Sequence, residues 1–130
     1  MQELHMSLDN VRLSQPAKDR LVRLKRTTGI TQWNVLCRWA LALSLNDPST
    51  PLVKDITTDS NVDMTWKTFA GQHRDIYLAL LKKRCADDGN EPTDENVTRT
   101  LTIHLHRGIG YLGGQKELTT VEGMVGSVAG

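Results

Sequence analysis

The segment from Thr31 to Leu45 constrains this chain more than any other. Trp33, Val35, Leu36, Cys37, Trp39, Ala40, Leu41, Ala42, Leu43 and Leu45 place apolar groups nearly all round a helix. Only Asn34 and Arg38, four residues apart, mark a polar edge. A helix of this kind must be covered on most sides. The chain has 130 residues, enough for one domain but few other elements to cover such a helix. Part of its surface is therefore expected to meet another subunit. No apolar run reaches the ~18 residues of a membrane span. The start, MQELHMSLDN, lacks a basic region followed by an apolar one, so a cytoplasmic location is expected.

The residues before this helix set its context. In LDNVRLS, from Leu8 to Ser14, Val11 and Leu13 alternate with Asn10, Arg12 and Ser14, as in a short strand with one buried face. Ser14 can cap the helix that follows, with Pro16 in its first turn, where a missing N–H is harmless. Ala17, Leu21, Leu24 and Thr28 form that helix's core stripe, and Gly29 ends it. Lys18 and Lys25 flank the stripe on one side, Arg20 and Arg23 on the other, and Arg26 points away.

The rest of the chain reads less cleanly. Residues 46–63 are rich in Pro, Ser, Thr and Asp, which predicts a loop. A third helix is predicted from Thr65 to Ala86, with Trp66, Phe69, Ala70, Ile76, Tyr77, Leu80 and Leu81 on its apolar face. From Thr93 to Leu112 the four-residue spacing of Val97, Leu101 and Leu105 favours a helix, against a competing alternation through Leu101, Ile103 and Leu105. Residues 113–130 are glycine-rich and without sustained period, and a mobile tail is expected there. Residues 1–112 would then form the single domain.

The formal net charge of +1 hides an asymmetry. From Asn10 to Leu45, seven bases against Asp19 alone leave +6. From Asn46 to Asn96, ten acids against six bases leave −4. Such a split suggests a basic binding face backed by a solvated acidic remainder, although basic helix faces often do no more than keep a protein soluble.

Residue types that carry chemistry are few. His104 and His106 form an HxH pair with His73 as a conceivable third ligand. On a helix, two residues apart means about 200° of rotation, so the pair converges on one metal only in a strand. His73 fits better as a hydrogen-bonded core residue. Asp55, Asp59 and Asp63 lack calcium-loop spacing and read as caps or solvated groups. Cys37 and Cys85 sit in helical patterns and read as reduced structural thiols. Gly108-Ile109-Gly110 and Gly113-Gly114 suggest turns, and the three tryptophans favour core packing over base stacking. No metal, cofactor or catalytic role is expected.

The strand–helix–helix start resembles a ribbon-helix-helix DNA-binding unit. A closer resemblance is carried in order by LDNVRLSQPAKDRLVRLKRTTGITQWNVLCRWALALSL, DSNVDMTWKTFAG, IYLALLKKRC and HLHRGIGYL. These stretches, spanning Leu8 to Leu112, are similar to the DndE family of bacterial DNA phosphorothioation (sulfur modification) systems. That resemblance implies a mainly α, small helical domain with a ribbon-helix-helix-like start, assembled as a homotetramer. It implies a non-enzymatic protein that binds double-stranded, preferably nicked, DNA through surface lysines and arginines. Its partners would be a sulfur-transfer protein and an ATPase. By position, Lys18 and Lys25 would make the first contacts, then Arg20, Arg23 and Arg26, with Arg12 on the strand. The rival readings are a ribbon-helix-helix regulator reading bases through Asn10, Arg12 and Ser14, and a non-catalytic assembly subunit for which DNA contact is incidental. A metal-dependent enzyme using His104 and His106 is the third.

Overall fold

In a computed structural model describing residues 10–52 and 55–114, Ser14 turns the chain from strand to helix. Its Oγ accepts the N–H of Ala17, and Asp59 Oδ1 accepts the N–H of Gln15, so two orphan donors of the first turn are satisfied. The helix α1 (Gln15–Thr28) buries Ala17, Leu21 and Leu24 and stops at Gly29, whose φ of 77° only glycine adopts without strain.

Before it, β1 (Asn10–Arg12) pairs antiparallel with β2 (Asp63–Thr65) of the same chain, in register Val11 to Met64. Leu13 and residues 60–62 extend the ladder by two more backbone bonds. The stretch predicted as loop through residue 63 therefore ends in a strand.

The apolar helix α2 (Trp33–Asn46) is covered mainly by α5 (Asp94–Gly114). Leu36, Cys37, Ala40, Leu41 and Leu43 meet Val97, Leu101, Leu105, Ile109 and Leu112 in one core. Burial pushes the Cys37 thiol up to about 12, which makes it an inert packing group. The ambiguous 93–112 stretch is thus helical, and Gly108-Ile109-Gly110 lies inside α5 rather than in a turn. A Cβ on Gly108 would lie 1.7 Å from the carbonyl oxygen of Ala40, so the absence of a side chain lets α2 and α5 approach this closely.

The predicted third helix is broken. Thr65 caps α3 (Trp66–Ala70), Gly71 takes a φ of 64°, one 3-10 turn follows, and α4 runs Arg74–Asp87. The left-handed glycine resets the helical phase. His73 is consequently exposed rather than a core residue, and Ile76 and Leu80, expected inside, are 59% and 46% exposed. Leu81 and Cys85 carry α4's contribution to the core. The tail expected from residue 113 falls, beyond Gly114, outside the described residues. No helix among the described residues is long and apolar enough to cross a membrane.

Candidate nucleic-acid interface

Every base singled out from the sequence lies on β1 or α1, and the fold sorts them by partner. Lys18 Nζ donates to Asn61 Oδ1 at 2.6 Å. Lys25 Nζ sits 3.5 Å above the indole ring of Trp33. Both therefore lean toward the side of α1 bordered by β2 and the start of α2. Seven residues separate them, two helical turns or about 10 Å. Arg20 leans the other way, its Nη1 3.4 Å from the carbonyl of Gly110 and its stem against Gly113. The side chains of Arg23, one turn on, and Arg26 are exposed, and among the described residues neither guanidinium makes a hydrogen bond or ion pair. Arg12 extends from β1 with half its side chain exposed and pairs with Asp63 at 3.0 Å. Asn10 binds the same carboxylate.

The surface is thus a ridge with two flanks rather than one flat patch. On one flank, Lys18 and Lys25 are tethered by neutral partners that leave their charge intact. Arg12 stands nearby with its charge partly offset. On the other flank and the crest, Arg20, Arg23 and Arg26 face outward. Asp19, the one acid on α1, accepts a hydrogen bond from Gln15.

Sequence reasoning named the bases but missed what holds them. Asn61 carries no local signal for this role, because its contact joins segments 43 residues apart, and Trp33 meets Lys25 across the turn between α1 and α2. It also missed a second polar centre, built around Arg84 and Arg107. Arg84 is buried and donates to the carbonyls of Leu45, Asp47 and Ser49, and to Asp88 at 3.1 Å. Arg107 donates to Ser44 and Ser49 from the opposite side. Two guanidinium groups thereby clamp the carbonyls left over at the end of α2.

His104 completes this centre. Its Nε2 lies 2.8 Å from Asp88 and its Nδ1 2.8 Å from Ser44 Oγ. The carboxylate takes the Nε2–H, and in the neutral ring, the form that burial favours, Nδ1 accepts the serine hydroxyl. Burial lowers the His104 pKa, outweighing the pull of Asp88. Burial works to raise Asp88, but hydrogen bonds from His104 and Arg84 hold it below its ordinary value. The Tyr111 hydroxyl donates to Asp47 and, with Ser49, depresses that carboxyl. Ser44 is fully buried and its hydroxyl is engaged twice, so this Ser–His–Asp chain offers no nucleophile to a substrate.

His106 diverges from His104, as the helical reading required. Its Nδ1 donates to Thr102 O, and its Nε2 accepts the N–H of Ser14, tying α5 to the start of α1. Among the described residues, no three His, Cys, Asp or Glu side chains are grouped to hold a metal ion. Asp59 caps α1, and Asp63 pairs with Arg12.

Comparison with known proteins adds to this geometry. The family described as DNA sulphur modification protein DndE matches residues 10–120. The crystal structure of DndE from Escherichia coli B7A, involved in DNA phosphorothioation modification, shares the fold with a TM-score of 0.68 and 22% identity. That likeness covers 83% of this chain and 99% of the other. No curated protein matches the chain.

Proposed function

The chain belongs to the DndE family of DNA sulphur modification proteins, and from that premise we propose that it is a DNA-binding component of the phosphorothioation machinery. It holds double-stranded, preferably nicked, DNA without doing the chemistry itself. Lys18 and Lys25 make the leading phosphate contacts, supported by Arg20, Arg23 and Arg26 on the ridge and Arg12 on β1. The observation that carries this reading is the pair of tethered lysines, two turns apart on one flank of a helix with a single acid. Mobile cations at such spacing bind the sugar-phosphate backbone with little regard to sequence. A nick softens the duplex, so a curved basic surface built by several subunits would prefer it through deformability.

Anisotropy titrations of labelled nicked and intact duplexes over a range of salt test the reading. Replacing Lys18 and Lys25 together by alanine should weaken binding to all sequences. The slope of log affinity against log salt should flatten by about 0.9 for each lost contact. Unchanged affinity with an unchanged slope would refute it.

Self-association suits the same role in the cytoplasm. Val35, Trp39 and Ala42 of α2 are only partly covered and border Tyr77 of α4, the helix on which Ile76 and Leu80 are exposed. This face is our choice for the contact between copies, up to a tetramer, leaving the acidic remainder for the sulfur-transfer protein and ATPase. The pairing of β1 with the chain's own β2 disfavours a ribbon-helix-helix regulator, whose β1 would pair with a second subunit.

A further inference from the structure

We infer that the groove between the start of α2 and β2 takes one unstacked nucleobase from the broken end of a DNA strand, seated on the indole of Trp33. The inference rests on the DNA-binding reading and adds a reason for preferring a nick. The groove has a volume of about 440 Å³, within the range of small-ligand sites and ample for a single base. Lys25, Trp33, Asn34, Asn61, Asp63 and Thr68 line it.

Its chemistry selects a base over a phosphate. The Asp63 carboxylate beside the groove is taken by Arg12 and Asn10, and the other polar lining from Asn34, Asn61 and Thr68 is neutral, while Lys18 and Lys25 carry their ammonium groups at the α1 edge. A nucleotide satisfies both conditions at once, with its phosphate held by the lysines and its neutral base inside. Asn61 spends its oxygen on Lys18 and keeps its amide N–H groups for a base edge. Asn34 donates to the Thr68 carbonyl, which ties the start of α2 to α3 across the groove.

Lys25 already covers one face of the indole at 3.5 Å. A cation over an exposed ring is held weakly, and a stacked base is held more tightly. When DNA arrives, Lys25 moves to a phosphate and the base takes its place on the ring. Inside an intact duplex a base must first break its stacking and pairing, whereas a base at a nick leaves at lower cost. The groove therefore rewards nicked DNA specifically.

The test follows tryptophan emission and DNA affinity of the full chain with nicked and intact duplexes of one sequence. Nicked duplex should quench the emission of the wild type more than intact duplex does. Trp33→Leu should abolish that difference, weakening nicked-duplex binding roughly tenfold more than intact-duplex binding. Trp33→Phe, which keeps a ring, should retain most of the preference and serves if the leucine variant folds poorly. A Trp33→Leu chain with the wild-type ratio of nicked to intact affinity overturns the inference while leaving the DNA-binding reading standing. Failure of the wild type to bind either duplex overturns both.

Discussion

Gly108→Ala should destabilise this protein, although the same exchange in an ordinary helix stabilises. Alanine is favoured over glycine by about 1 kcal/mol in a helix interior. At Gly108 the added Cβ would sit 1.7 Å from Ala40 O, 2.4 Å from Ala40 C and 3.0 Å from Ala40 Cα. These are backbone atoms of α2, so no side chain can swing aside. The two helices that bury the centre of the core must separate by roughly 1.5 Å, since carbon and oxygen approach no closer than about 3.2 Å. Overpacking typically costs about 1–3 kcal/mol, and a clash with rigid backbone belongs at or above the top of that range. Less the helix gain of about 1 kcal/mol, the net loss should be about 2 kcal/mol or more, a fall in Tm of roughly 7 °C for a domain of this size. Gly110, two residues on in the same helix, supplies the control, because a Cβ there meets nothing within 4 Å. Gly110→Ala should raise Tm by a few degrees. Thermal and urea unfolding followed by far-ultraviolet circular dichroism measures both. Two variants that shift in the same direction would refute the close approach of α2 and α5 at Ala40.

Three further outcomes follow from the polar centre and the α4 surface. Arg84→Met should cost about 3 kcal/mol in urea unfolding, because it takes the guanidinium from the Asp88 carboxylate and from the carbonyls of Leu45, Asp47 and Ser49, and Arg84→Lys should recover little for want of the planar fork. Burial lowers the pKa values of both His104 and His106, so below their ordinary 6.5 the unfolded chain binds protons that the fold refuses. Stability should therefore be full above about pH 7.5 and decline as the pH falls through 6.5 toward 5, and a urea midpoint that rises as the pH falls over that window would contradict the neutral rings. Replacing Ile76 and Leu80 together by glutamate should lower the mass measured by light scattering while leaving the melting curve of the subunit nearly unchanged, because both side chains are exposed. An unchanged mass would remove this face as the contact between copies.

The elements that were legible in the sequence are those specified by near neighbours. Ser14, the stripe through Ala17, Leu21 and Leu24, and Gly29 lie within sixteen residues, and each acts through bonds or packing at helical spacing. The broken third helix shows where such reasoning stops. Trp66 through Leu81 fits a single apolar face only if the phase runs on through residue 71, and the left-handed Gly71 interrupts it. A glycine permits that break without requiring it, and the choice is made by tertiary packing. Gly108 is the same case in reverse. It looked like a turn residue, yet it lies inside a helix because another backbone needs its space.

The basic site was legible to the same depth. Counting charge by segment located its bases, since charge is a property of the side chain alone. Their arrangement depends on Asn61, Trp33 and Gly110, which stand 43, 8 and 90 residues from Lys18, Lys25 and Arg20. Two of these partners are reached only through the fold. They also decide what each cation can do. A lysine tethered by a neutral amide or an indole keeps its full charge for a phosphate, whereas Arg12 must first be drawn from Asp63. Equal formal charges on this ridge are therefore unequal in use. The salt dependence of binding should fall more on losing Lys18 or Lys25 than on losing Arg12, an order that net charge alone would not produce.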